Sequence, residues 1–276
     1  MQRFLLILAC LIGLETGNIA TAQTPKVTTH ATLLGIGYVG QLDTYLSPLN
    51  YSGLQAHVVY ETLRPLRTFK GHVTTQGWWQ ANVCMTEDAS RSGKNLGGNL
   101  VYERAWHYNW HPVTNLTLMA GPQVGANLGM IYSTRNGNNP AQALASLHLS
   151  ASLAAVYRFR LFGLSFAIRD QLDAPLIGAM FSPEYGQSYY EIFEKGDFGH
   201  NICVTTPVNA PTLRNLFTLD FPIGNCILRA GYLMDIRQSH VNHIKHHSYT
   251  HAFMLGWVKH FTVHKRREAA AMDFVL

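Results

Sequence analysis

Hydrophobic residues recur at every second position along most of the chain. Leu54, Ala56, Val58, Tyr60 and Thr62 alternate with Gln55, His57, Val59, Glu61 and Leu63. Leu116, Leu118, Ala120, Val124, Ala126, Leu128, Met130 and Tyr132 alternate with Thr117, Met119, Gly121, Gln123, Gly125, Asn127 and Gly129. Cys226, Leu228, Ala230, Tyr232, Met234 and Ile236 oppose a set that contains Arg229, Asp235 and Arg237. Side chains on a strand point to opposite faces in turn, so each segment carries one apolar face and one polar or small face. The pattern predicts ten strands, at 30–42, 53–64, 72–85, 98–111, 116–132, 143–159, 163–172, 212–221, 226–238 and 248–262.

Several of these runs exceed the roughly 5–6 residues usual in soluble sheets and suit tilted membrane-crossing strands. The connections also differ by end. Longer polar ones, at 43–52, 86–97, 133–142, 173–211 and 239–247, alternate with tight turns at 64–67, 111–115, 160–163 and 221–225. Hydrocarbon supplies no hydrogen-bond partners, so a spanning sheet must close on itself. The expectation is an all-β, antiparallel transmembrane β-barrel of about ten strands, with twelve as the upper count. Trp78, Trp79, Trp106, Tyr108, Trp110, Trp257 and Phe261 gather near strand ends, as membrane-interface aromatics do. Arg104, on the Tyr102/Trp106 face, then has to lie near an interface or at a bulge, because an Arg at mid-bilayer costs about 2–4 kcal/mol.

Composition narrows the class further. The 276 residues are 47% hydrophobic and 13% charged, with a net charge of +5. A chain this apolar and this weakly charged is not disordered, and it lacks the basic stripe of a nucleic-acid binder. Mean hydropathy is near zero, which disfavours a helical membrane protein. Residues 1–22 read as a signal peptide, with Arg3, an apolar stretch from Phe4 to Leu14, and Ala20-Thr21-Ala22 before the cut. The apolar run before Cys10 is short for a lipoprotein signal. The remainder, 23–276, is expected to be a single barrel domain with a long loop at 173–211 and a charged tail at 262–276. Cys84, Cys203 and Cys226 permit at most one disulfide and read as small apolar fillers.

Four strings carry a family resemblance: Leu42-Asp43-Thr44-Tyr45-Leu46-Ser47-Pro48, the tyrosine-rich stretch from Phe181 to Phe193, Thr218-Leu219-Asp220-Phe221-Pro222, and Gly231 to Ser239. In these the chain resembles an uncharacterised family of Bacteroidetes outer-membrane barrel-like proteins, a domain of unknown function. The resemblance covers most of the mature chain and implies an exported barrel. It brings no activity and no catalytic residues. The chain departs from outer-membrane barrels that end on an aromatic residue, since Phe261 is followed by further sequence.

If the apolar faces meet lipid, Glu61, Glu103, Arg169, Arg214, Asp220, Arg229, Asp235 and Arg237 face the lumen, where burial requires that they neutralise one another. The loop 173–211 is the binding candidate, through Phe181, Tyr185, Tyr189, Tyr190 and Glu191; Ser188 and Glu191 have the spacing of a capping box. Its aromatic rings suit a glycan or a lipid headgroup. His240, His243, His246 and His247 share one connection, but no carboxylate or Cys lies beside them and no metal site of familiar spacing results. Ser146, His148 and Ser150 on one strand face, and Ser239 with His240 at a rim, are the serine–histidine pairs available for hydrolysis. The expectation is a non-enzymatic outer-membrane protein, structural or ligand-binding, with no cofactor, no metal and no nucleic-acid partner, in contact with outer-membrane lipid. The alternatives are an outer-membrane lipid hydrolase or lipid-modifying enzyme, and a secreted soluble β-sandwich.

Overall fold

Strands with one apolar face can close into a cylinder with that face outward, and this is what the chain does. The computed structural model describes residues 27–262, apart from 67, 68, 70 and 225. The signal peptide expected at 1–22 and the tail beyond 262 lie outside the described residues. The strands are β1 (Val27–Asp43), β2 (Ser47–Pro65), β3 (Val73–Asp88), β4 (Lys94–Val113), β5 (Leu116–Ser133), β6 (Ala141–Leu161), β7 (Leu164–Phe181), β8 (Ile202–Thr205), β9 (Thr212–Ile223), β10 (Cys226–Val241) and β11 (Ile244–Thr262). A single short helix, α1 (Tyr189–Phe193), precedes β8 among the described residues. From β1 to β7 each strand pairs antiparallel with the next; β7 pairs with β9, β9 with β10 and β10 with β11, and β11 returns to β1, which closes a ten-stranded barrel. The small β8 extends the wall from the end of β7, at 178–181.

The register shows how the cylinder is sheared. From Leu33 one route runs through Val59, Gln80, Val101, Asn127 and Ser146 to Met180. The opposite route runs through Gly256, Arg229 and Asp220 to Ala167. The two arrivals on β7 differ by thirteen residues, one of them contributed by the bulge opposite Leu149 and Ser150. A stagger of that size requires the strands to tilt by roughly 35–45°.

The two faces separate as the alternation implies. Leu34, Ile36, Leu54, Val58, Val83, Leu100, Leu128, Leu147, Phe253 and Leu255 are exposed on the outside. Tyr60, Trp106, Trp110, Tyr157, Phe217 and Trp257, also exposed, lie three to seven residues from the turn-side ends of their strands. Arg104 sits in regular register opposite Gly77 and Val124, not at a bulge. Its side chain lies over Gly77 and its Nη2 donates to Thr75 Oγ1 at 3.4 Å, nearer the turn side. The long side chain thus carries its charge toward the interface.

The connections are shorter than their polarity implied. The expected loops 43–52, 86–97, 133–142 and 239–247 contract to 44–46, 89–93, 134–140 and 242–243, because the strands run on past the apolar belt. In several of these extensions the outward positions turn polar, as at His240, Lys245 and His247, so the apolar set no longer marks the strand, while the ladder pairing continues. Asn242 and His243 form a two-residue hairpin turn, both at positive φ. β7 likewise continues from 172 to Phe181, and only 182–211 remains as the long connection.

Candidate functional site

Inside the barrel one sector is apolar: Leu33, Val59, Trp78, Leu216, Leu233, Ala252 and Met254 pack together. The rest of the mid-lumen is filled by ion pairs. Glu61 on β2 receives Arg169 Nη1 from β7 at 2.5 Å and Arg229 Nη1 from β10 at 2.6 Å. Arg229 also forks onto Asp220, with Nε at 2.6 Å and Nη2 at 2.8 Å. Gln76 donates to Glu61 at 2.7 Å, and Gln171 accepts from Arg169. Gln171 then donates to Asp173 at 3.0 Å, and Asp173 pairs with Arg214 at 2.6 Å. Arg214 also pairs with Glu103, and its guanidinium lies 4.6 Å from the centre of the Trp78 ring. Glu103 accepts from Gln123 at 2.6 Å and faces His148 Nε2 at 3.5 Å. Gly125 leaves room for this pair, since a Cβ there would stand 2.3 Å from His148 Nε2 and the imidazole would have to move. Closer to the loop side, Arg237 binds Asp235 at 2.7 Å and donates to Asn127 at 2.9 Å.

This layer separates two spaces. Glu103, Asp173 and Arg214 line a loop-side cavity of about 170 Å³. Arg169, Asp220 and Arg229 line a turn-side vestibule of about 860 Å³. The structure places Glu61, Glu103, Arg169, Arg214, Asp220, Arg229, Asp235 and Arg237 on the inner face of the wall. Asp173 joins them although the sequence pattern ends the strand at 172; the inward series Arg169, Gln171, Asp173 is the signal for it, interrupted only at Pro175 beside the bulge.

Residues 182–211 lie over the loop-side mouth. Tyr45 Oη, in the β1–β2 turn, donates to Gln187 O at 2.9 Å. Tyr189 Oη donates to Gln142 Oε1 at 3.0 Å and accepts from Ala143 N at 2.7 Å. Asn242 Nδ2, in the β10–β11 turn, donates to Ser182 O and His200 O. The connection is therefore tied to three other hairpins and forms a lid, whose own Ile192 is fully buried. Burial, and then the neighbouring Tyr189, push the Tyr45 hydroxyl up to about 12, so it stays a donor at ordinary pH. Helix α1 starts with the anticipated capping box: Ser188 Oγ accepts from Glu191 N, and Glu191 Oε2 accepts from Ser188 N at 2.8 Å. That backbone hydrogen bond, helped by the Ser188 hydroxyl, holds the Glu191 carboxyl below its usual range.

The five candidate binding residues divide. Phe181 ends β7 and meets the Tyr189 ring, 6.2 Å between centres. Tyr189 faces the barrel, Glu191 is engaged in its cap, and Tyr185 and Tyr190 face out. Phe193 and Phe198 join the exposed set in edge-on contact at 6.1 Å, and Lys195 Nζ stands 5.7 Å from the Tyr190 ring.

The histidine-rich connection is mostly strand, and its side chains diverge. His240 is exposed on the outer face, His247 stacks on Tyr249, and His246 Nδ1 turns inward to Asp43 Oδ2 at 3.1 Å. They do not converge on one point. The serine–histidine pairs are also rearranged. His148 faces Glu103, and Ser239 lies on the face opposite His240. Register instead places Ser239 directly across from His246, and His246 directly across from Asp43. Cys84, Cys203 and Cys226 are free thiols.

Fold and lumen define a closed, ten-stranded antiparallel β-barrel, lidded and crossed by ion pairs. The chain belongs to the family described as protein of unknown function (DUF3316), whose model matches residues 4–268. No curated protein matches its sequence. Similar solved structures include the outer membrane protease OmpT from Escherichia coli, at 8% identity and a TM-score of 0.49, covering 90% of this chain and 100% of that one. The translocator domain of autotransporter NalP from Neisseria meningitidis aligns at 10% identity and a TM-score of 0.38, covering 93% of each. A major outer membrane protein from Thermus thermophilus aligns at 12% identity and a TM-score of 0.33, covering 85% of this chain and 99% of that one.

Proposed function

We propose that this protein resides in the outer membrane as a barrel closed to solute flow, and that it binds a glycan or lipid headgroup on its lid. One observation carries the reading. Tyr185, Tyr190, Phe193 and Phe198 are exposed together on a segment anchored to three other hairpins. Aromatic side chains held rigid in water favour a ligand that covers them, because little ordering entropy remains to be lost. The lumen supports binding over transport, since charges from β2, β7 and β10 meet across it at Glu61. The test is a glycan array, together with vesicles carrying lipopolysaccharide, probed with the folded protein. Replacing Tyr190 and Phe193 together by Ala should weaken binding about tenfold or more. Binding unaffected by the double substitution, or no binding to any glycan or vesicle, rejects the lid as the binding face.

A second reading, hydrolysis, is favoured by the row Ser239–His246–Asp43 across β10, β11 and β1. Ser239 and His246 line the loop-side cavity, and Asp43 orients the imidazole. A base oriented by a carboxylate beside a hydroxyl is the arrangement that activates serine. In this reading a fluorophosphonate probe labels wild-type protein and fails to label Ser239→Ala. Wild-type protein that stays unlabelled removes the reading.

A further inference from the structure

On the outer wall, β4 to β7 enclose a furrow of about 600 Å³. Ala120 and Ala155 form its floor, and Tyr108, Trp110, Leu153 and Leu172 stand around it. Asp170 is at its edge, exposed on the apolar side of β7. Its Oδ1 accepts from Asn215 Nδ2 at 2.6 Å. The ion pairs among the described residues do not include it. Asp170 is six residues into β7, in the same turn-side band as Tyr60, Trp106, Phe217 and Trp257.

We propose that this furrow is a phospholipid site, with Asp170 receiving a primary ammonium headgroup of the phosphatidylethanolamine type. The proposal rests on the membrane reading above. A carboxylate beside hydrocarbon is costly unless a cation meets it, and intramembrane charges are matched by a partner for that reason. A primary ammonium brings both the charge and N–H donors for the carboxylate. A quaternary choline brings charge without donors, and a glycerol headgroup brings no cation. The alanine floor between large side chains has the shape of an acyl chain, which favours a lipid over a lysine from a partner protein. The flanking Tyr108 and Trp110 suit the headgroup level.

The experiment uses the full folded chain and an equimolar mixture of phosphatidylethanolamine, phosphatidylcholine and phosphatidylglycerol with identical acyl chains. Retained lipid is read by native mass spectrometry. Wild-type protein should keep phosphatidylethanolamine about tenfold over the other two, the ratio one charge-assisted hydrogen bond supplies. Asp170→Asn should bring the ratio near unity, and Asp170→Lys should shift retention to phosphatidylglycerol. Heat-modifiable migration of both variants shows that they fold. Equal retention by wild-type protein, or a preference that survives Asp170→Asn, overturns the site alone. Failure of wild-type protein to fold into lipid overturns the membrane reading and the site with it.

Discussion

Glu61→Ala is expected to destabilise the barrel by about 3 kcal/mol, the lower end of what breaking a buried ion pair costs. Glu61 is 1% exposed and holds Arg169 and Arg229 at once. Its removal leaves two guanidiniums facing each other, with the hydrogen bond from Gln76 also lost. The cost stays near the lower end because Arg229 keeps Asp220, Arg169 keeps Gln171, and both Arg residues border the turn-side vestibule, where water can reach them. Urea unfolding in lipid vesicles reads the change as a lowered midpoint. Replacing Arg169 with Leu in the Glu61→Ala background should restore part of the loss, since one uncompensated charge is then gone. A midpoint shift worth under about 1 kcal/mol would show the layer to be water-filled rather than a desolvated barrier. The closed state depends on the same contacts. Wild-type protein should therefore be silent in a planar bilayer, and the Ala variant is the first place to look for leak.

The faces of the strands were legible from sequence because they follow from local geometry. Glu61 sits between Tyr60 and Thr62 on a strand of period two, and one correct strand assignment places all of them. The capping box at Ser188 and Glu191 was legible for the same reason, since both partners lie within one turn. Pairing across the barrel was not legible. That Glu61 meets Arg169 and Arg229 depends on closure and stagger, which no window of sequence contains. The same holds for Ser239. Its neighbour in sequence, His240, is on the other face, while His246 is brought opposite it by a hairpin whose turn is only Asn242 and His243. Strand ends are harder to see where the alternation breaks. On either side of the histidine hairpin the outward positions His240, Lys245 and His247 are polar, so the apolar set that carries the strand signal is missing, and after Asp173 the alternation is interrupted by Pro175 and the bulge opposite Leu149 and Ser150.

Ile36→Arg is expected to cost about 2–4 kcal/mol, while Leu161→Arg costs about 0–1 kcal/mol. Both residues are exposed, at 62% and 47%. On a water-facing surface such a change is worth no more than about 0.5 kcal/mol at either position. Ile36 lies one residue from the centre of β1, between Phe253 and Ala56, so a guanidinium there has no short path to a headgroup. Leu161, on the outward set of Leu147, Leu153 and Tyr157, is the last residue of β6, where an Arg can reach water. The gap between the two variants, measured by urea unfolding in vesicles, therefore reads depth in hydrocarbon instead of exposure. A soluble barrel gives two small, equal values. A membrane barrel gives a large value at Ile36 that shrinks when the bilayer is replaced by a thinner one, because the strand centre then lies closer to the interface.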